Sequence, residues 1–373
     1  MKRFLILLLC FCLLLTACKG KSVETEPSTE ATTVPTTQAT TEATTIPTEA
    51  PTEATVAPTE APVLYQHPLT GEMMEVPMQY HPVAVSTNNY SPAQPVLGIS
   101  HADFVFEHVT EGGGAETRML AIYTNLNFDG QVGTVRSART YSIEMAKSFY
   151  AFFVHCGGSA LADNVIKYTR YPSFNQFFYA DYFYRDADRR AAGYSSDHTL
   201  VADAQTLLQG LSDNGFDIAA PENPSYGLVF SDEPTASEDS AEKITAQFYS
   251  DSGKKTIFSY DKDQGVYYGH QIWSKKQADI LDGNTMDMVP FKNIVILRVV
   301  TTLADDGNHR LMDLTSGGEG YFACNGTYVP IKWSRNAENN FVYTLEDGSP
   351  VEFGVGKTYV VVLPTKSPAV IFE

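Results

Sequence analysis

Two short loops carry the side chains best suited to chemistry on an anion. The first, Gly133-Thr134-Val135-Arg136-Ser137-Ala138-Arg139, supplies two guanidinium groups and a hydroxyl, and the second is His155-Cys156-Gly157-Gly158-Ser159. Glycines let a ligand approach the backbone, and amides at a helix start favour negative charge. Together with Arg118 and Arg185, the residues Arg136, Ser137, Arg139, Gly157, Gly158 and Ser159 are the expected lining of a polar cleft for a carboxylate or phosphate. The structural alternative is that the arginines pair with surplus acids and the glycines make a tight turn.

Glu107 and Glu111 stand before the glycine run Gly112-Gly113-Gly114, with Arg118 after it, which invites an acid/base reading. Such work needs carboxylates held at a defined separation across a substrate. On a hairpin the simpler account is a cross-strand ion pair, Glu107 or Glu111 with Arg118. His155 beside Cys156 has the composition of a base and a nucleophile, but neighbours on a strand point to opposite faces, and a buried Cys156 is expected. His198, before a helical stretch, is either a cap neighbour or a site residue. Glu107, Glu111, His155 and His198 are therefore the catalytic candidates, and local sequence fixes none of them. Asp261-Lys262-Asp263-Gln264-Gly265 lacks the glutamate that closes a calcium loop. No G-x-S-x-G, P-loop, H-E-x-x-H or paired C-x-x-C occurs, so neither a metal nor a cofactor is implied. The aromatic run from Phe174 to Tyr184 reads as core and interface before it reads as a sugar platform.

These groups need elements to hold them. His81 to Ser86 reads as a short apolar strand, and Asp103 to Val109 pairs with Thr117 to Thr124 as a hairpin across the glycines. Thr140 to Phe149 has helical spacing and precedes a strand, Tyr150 to His155; a second helix starts near Ala160 and a third spans Thr199 to Leu211. After the acidic stretch Ser231 to Glu242 the chain reads as strands and turns, with turns at Asp282-Gly283, Asn325-Gly326 and Asp347-Gly348. The expected fold is α+β or α/β. An N-terminal mixed sheet with flanking helices (63–222) is followed by a mostly antiparallel β domain (223–373).

The N-terminus sets the location. Lys2 and Arg3 precede the apolar run Phe4 to Leu15, too short to span a bilayer, and Leu15-Thr16-Ala17-Cys18 has the form of a lipobox. Residues 1–17 are expected to leave as a signal peptide, with Cys18 lipidated and anchoring the chain at the outer face of the cell membrane. From Ser22 to Pro62 the chain is Thr, Glu, Ala and Pro, with too little apolar surface for a core, so residues 18–62 read as anchor and disordered stalk. The formal charge of −18 argues against nucleic acid as a partner and requires any anion site to be built locally against the global field. Cys10 and Cys12 leave with the signal. Cys156 and Cys324, far apart in sequence, are expected as unrelated thiols, with one long-range bridge as the alternative.

The chain resembles the YerB-like lipoproteins, a family of N- and C-terminal domains of unknown function, over most of Pro68 to Leu363. The likeness is carried by Pro68-Leu69-Thr70-Gly71, Pro82-Val83-Ala84-Val85 with Asn88-Asn89, Gly98-Ile99-Ser100, Glu111-Gly112-Gly113, Thr117-Arg118, Val135 to Arg139, Val154-His155 with Gly157 to Ser159, and Phe183 to Asp186. It departs at His81, where the family usually shows arginine, and at Asp197-His198-Thr199, where it usually shows Pro-His-Asn. The resemblance implies an envelope lipoprotein, chiefly of Gram-positive bacteria, with no established activity.

The leading expectation is a non-enzymatic binding or scaffold protein of the envelope that recognises an anionic wall fragment, a peptide or a protein partner. A wall-polymer hydrolase using Glu107 or Glu111 with His155 or His198 is the rival. A solute receptor is the third reading.

Overall fold

In the computed structural model, residues 63–111, 116–222, 224–250 and 253–373 are described. The expected signal peptide, Cys18 and the stalk lie outside them, as do the three glycines at 112–114. The N-terminal half opens with a small ladder, β1 (Tyr65–Gln66) and β2 (Met73–Met74). Three strands buried along their whole length follow: β3 (Val83–Asn88), β4 (Phe104–Val109) and β5 (Thr117–Tyr123). Their largely apolar runs are what strands covered on both faces require. Next come β6 (Gln131–Gly133), α1 (Thr140–Lys147), β7 (Phe152–His155), α2 (Ala160–Thr169), β8 (Ser173–Asn175), β9 (Tyr184–Arg185), α3 (Ala187–Ala191), β10 (Leu200–Asp203) and α4 (Ala204–Asp213). The Ser159 hydroxyl accepts the Ala162 amide to start α2, and the Asp186 carboxylate accepts two amides to start α3.

The helix expected from Thr199 is a strand for its first turn. Leu200 to Ala202 are buried, and β10 pairs with β6 on one side and β9 on the other, so sheet partners outweigh helical spacing until Ala204.

The C-terminal half adds β11 (Val229–Ser231), β12 (Lys243–Gln247), β13 (Lys254–Asp261), β14 (Val266–Trp273), β15 (Lys276–Asp279), β16 (Pro290–Phe291) and β17 (Asn293–Val299). After these come β18 (Thr301–Leu303), β19 (Arg310–Met312), β20 (Gly318–Cys324), β21 (Thr327–Arg335), β22 (Phe341–Thr344), β23 (Glu352–Gly354), β24 (Thr358–Pro364) and β25 (Ile371–Phe372). The half is strand-rich and mostly antiparallel, but β24 runs parallel to both β17 and β4. That pairing joins the halves. One ten-stranded sheet runs β22-β21-β20-β17-β24-β4-β5-β3-β7-β8, and a second has the order β15-β14-β13-β12-β25, with β16 on β14. The expected division into 63–222 and 223–373 therefore follows sequence order, while the sheet crosses it.

The large sheet has a core on each face. Val105, Met119 and Ala121 face the second sheet with Ile244 and Phe258, whereas Phe104, Phe106, Leu120 and Ile122 face α1 with Tyr141 and Phe149. Successive strand residues alternate between these cores, which decides where each charged residue on β4 and β5 points. Cys156 and Cys324 are both free thiols.

Candidate functional site

The two loops singled out by composition lie side by side. The Cys156 amide donates to the Arg136 carbonyl (3.1 Å), the Ala138 amide to the Gly157 carbonyl (2.8 Å), and the Ser159 amide to the Ala138 carbonyl (3.3 Å). The Arg136 amide donates to the Ser86 carbonyl on β3 (2.8 Å), which fixes that side chain at the rim of the large sheet. This mutual bonding corrects the role expected of the second loop. The Gly157 amide is held by Asn175 Oδ1 (3.0 Å), and the Ser159 side chain is spent on capping α2. A Cβ on Gly158 would fall 2.4 Å from Asp163 Oδ1. Gly157, Gly158 and Ser159 thus serve close packing, and the Gly157 and Ser159 amides are not free to cradle an anion.

Beside the first loop is a cleft of about 180 Å³ lined by Asn88, Tyr90, Thr117, Arg118, Arg136 and His198, with Thr110, Glu116 and Asp197 completing the rim. Arg136 Nη1 donates to the Asp197 carbonyl (2.8 Å). Its Nε is buried and has no hydrogen-bond partner among the described residues. The Asp197 carboxylate is 4.0 Å away and 73% exposed, a weak counter-charge. Asn88 Nδ2 donates to His198 Nδ1 (2.9 Å), while Asn88 Oδ1 accepts the Tyr90 amide (3.0 Å). Burial and then the Arg136 charge push the His198 pKa below its usual value. His198 is the one catalytic candidate that lines the cleft.

Arg118 connects this cleft to a second cluster. Its Nη1 donates to the Ser137 carbonyl (3.0 Å), and its Nη2 lies 3.5 Å from Glu111 Oε2. Glu111 also takes a charge-assisted hydrogen bond from Arg139 Nε and one from the Thr110 hydroxyl (2.5 Å). Burial alone would raise its pKa, but the Arg139 hydrogen bond, with Arg118 and Thr110, holds it down at about 2. Burial, reinforced by the like charge of Arg139, lowers the Arg118 pKa to about 10. The cross-strand pair is therefore Glu111 with Arg118.

Glu107 is elsewhere. β4 and β5 are in register with His108 opposite Arg118 and Glu107 opposite Met119, so Glu107 points to the other face of the sheet. There it is fully buried, 2.8 Å from Lys254 Nζ, and accepts from the hydroxyls of Thr117, Thr256 and Tyr359. It cannot meet a substrate in the cleft. His155 is likewise occupied: Nδ1 bonds the Gly157 carbonyl (2.7 Å) and Nε2 the Ser173 hydroxyl (2.7 Å). Arg185 Nη1 donates to the Ser196 carbonyl (2.6 Å) and lies outside the cleft lining. The Cys156 thiol is half-buried, and burial pushes its pKa up in spite of Arg185 and Arg136. Residue typing missed Asn88, Tyr90 and Thr117 as lining groups, although Asn88-Asn89 and Thr117-Arg118 stood among the family-like motifs.

A larger groove, about 490 Å³, lies over β20 and β21 beside Arg298, Tyr321 and Lys332. The Arg298 guanidinium is spent on the carbonyls of Thr365, Ser367 and Pro368 at 2.7 to 2.9 Å, so it ties down the C-terminal tail. Volume favours that groove, but the unpartnered Arg136 donor favours the smaller cleft. Among the described residues no group of three His, Cys, Asp or Glu side chains could hold a metal ion. No helix among them is long and apolar enough to cross a membrane.

A family model described as the N-terminal domain of a protein of unknown function, DUF3048, matches residues 69–217, and the C-terminal domain model of the same family matches 244–360. The chain is 27% identical over 308 residues to the Bacillus subtilis (strain 168) protein named "Putative lipoprotein YerB", covering 82% of this chain and 88% of that one. The crystal structure of the Bacillus subtilis YerB protein matches with a TM-score of 0.71 at 25% identity, over 82% of this chain and 99% of that chain. With both models matched in order and the fold shared along the same stretch, the chain belongs to the DUF3048 family, the YerB-like lipoproteins.

Proposed function

We propose that this protein is a lipid-anchored envelope lipoprotein, held at the outer face of the cell membrane by Cys18, whose globular part binds an anionic group in the cleft between Arg118, Arg136 and His198. The reading rests on one observation above the others: Arg136 presents a buried Nε with no hydrogen-bond partner among the described residues while its Nη1 is already fixed. A positioned guanidinium with an unused donor is suited to carboxylate or phosphate. A local positive cluster in so acidic a chain also gives selectivity, because the surrounding field turns away anions that the cleft does not hold.

Binding without turnover is favoured over hydrolysis by the state of the two carboxylates. Glu107 is sequestered, and Glu111, ionised down to about pH 2, is a poor proton acceptor at neutral pH. The partner is then a wall fragment, a peptide terminus or an envelope protein that offers an anionic group.

The test follows the thermal midpoint of the mature chain, made soluble by Cys18→Ser, with increasing sulfate as a dianion of constant charge. A ligand of the native state raises the midpoint in proportion to ln(1 + [L]/Kd). A rise that Arg136→Ala removes supports the cleft. An equal rise in both proteins would mean that sulfate acts elsewhere and the cleft reading fails.

A further inference from the structure

We propose that Glu111 is a built-in competitor for Arg118, and that the cleft, lined by Arg118 and Arg136, takes a phosphate monoester in preference to a carboxylate. The inference rests on the anion-binding reading above and adds to it the class of ligand and the group that competes with it.

Arg118 is shared between two environments. It lines the cleft, yet its Nη2 is 3.5 Å from Glu111 Oε2, at the long end of hydrogen-bond range, while its Nη1 is anchored on the Ser137 carbonyl. Glu111 does not depend on that contact. Its Oε1 is bonded to Arg139 and its Oε2 accepts the Thr110 hydroxyl at 2.5 Å. Turning Nη2 toward a ligand therefore leaves Glu111 with its other partners but breaks the ion pair with Arg118, and that loss is the competition a ligand must meet. Arg118 has a resting partner and a cleft to turn into.

Charge decides which ligand wins. A carboxylate entering the cleft carries the same single charge as Glu111 but must give up its translational freedom, whereas Glu111 is already in place. A phosphate monoester brings nearly two charges and three acceptor oxygens at neutral pH, enough to engage the guanidinium groups of Arg118 and Arg136 together. Phosphodiesters, with one charge, fall on the carboxylate side.

The test is calorimetry at low salt on the full mature chain carrying Cys18→Ser, with glycerol 3-phosphate, a glycerophosphodiester and acetate. The parent should bind the monoester at least about tenfold tighter than the other two. Glu111→Gln should tighten all three, the doubly charged monoester most, and Arg118→Ala should abolish the preference. Glu111→Asp keeps the charge but withdraws it from Arg118, so it should show part of the gain, which separates the contact from the general field. Thermal midpoints of each variant separate loss of fold from loss of binding.

Monoester affinity left within about twofold by Glu111→Gln, or acetate bound as tightly as the monoester by the parent, would overturn the proposal while leaving the anion cleft standing. No binding of any probe by parent or Glu111→Gln would sink the cleft reading itself. Phosphatidylcholine vesicles containing phosphatidic acid identify the source. Recruitment lost in Arg118→Ala supports a lipid monoester, and glycerol 3-phosphate binding without recruitment supports a soluble one.

Discussion

Lys254 Nζ lies 2.8 Å from Glu107 Oε1, and neither side chain keeps any exposed surface. The pair bridges the halves of the chain, since Glu107 is on β4 and Lys254 opens β13. Around it Lys254 also donates to Gln271 Oε1 (2.6 Å) and stands over the Trp273 ring at 4.6 Å, while Asn89 Nδ2 donates to Glu107 (2.8 Å). Taking both charges out of water is expensive, so such a pair specifies an arrangement more than it adds net stability.

Lys254→Met should therefore destabilise the fold by about 3–5 kcal/mol, because it strands a buried carboxylate. Glu107→Gln in the Lys254→Met background should restore much of the loss, as the charge is then gone from both sides. Urea denaturation of the two singles and the double provides the coupling energy. Singles within about 1 kcal/mol of the parent would mean the pair is more hydrated than its burial indicates.

Acid sensitivity should come in part from Glu111. Its folded pKa, about 2, is below its ordinary 4.5, so its contribution to stability is present above 4.5 and is lost as pH falls from there toward 2. Glu107, also lowered because Lys254 and its hydroxyl donors outweigh burial, acts with the same sign. Glu111→Gln should flatten the decline of urea midpoint with pH across this window. An unchanged slope would place the acid sensitivity elsewhere.

What could be read from residues alone followed local order. Strand, loop, helix and strand put the Arg136 loop beside the Cys156 loop, and the pairing of β4 with β5 was visible in two apolar runs separated by a run of glycines. Glu111 with Arg118 was one of two pairings that composition allowed, and only the register, with His108 opposite Arg118, separates it from Glu107. Lys254 gave no sign of burial in a Gly-Lys-Lys turn sequence, because its partner comes from a strand remote in the chain. The same reason hid the parallel contact of β24 with β4: long-range pairing is set by shape and burial, which a local window does not contain. Leu200 to Ala202 failed differently, as a segment whose spacing suits a helix but whose neighbours on both sides are strand edges.

Anion affinity should rise on mild acidification through His198. Burial and the Arg136 charge hold its folded pKa below 6.5, so it is neutral in the free cleft at pH 7. Groups facing it are Asn88, the tilted Tyr90 ring at 6.3 Å, Arg136, Asp197 and, electrostatically, Arg189. Protonation adds a positive charge beside the ligand, and a bound anion in turn favours the proton. Sulfate affinity measured from above pH 6.5 to below it should strengthen in the parent and stay flat in His198→Asn. A parallel rise in both proteins would assign the proton to another group.

Cys18→Ala should release the protein from the membrane fraction and abolish incorporation of labelled palmitate, since acyl chains anchor by roughly 0.8 kcal/mol per buried methylene. Fractionation of intact cells expressing either form reads this directly. Retention of the alanine form in the membrane fraction would require another tether.

The N-terminal half should not fold alone, although family models divide the chain into two parts. All six residues of β4 are buried, one edge paired with β5 and the other with β24 from residues 358–364. A fragment of residues 63–222 would leave that second edge with unpaired amides and carbonyls along an apolar strand, a template for aggregation. Glu107 would lose Lys254, Thr256 and Tyr359 together. Residues 105, 119 and 121 would lose the second sheet that covers them. The expected result is a fragment that is insoluble or melts without a cooperative transition by circular dichroism, and that gains one when residues 223–373 are co-expressed. A cooperative melt and dispersed amide spectrum from 63–222 alone would mean that β4 tolerates an open edge, and that the pairing with β24 docks two domains already folded.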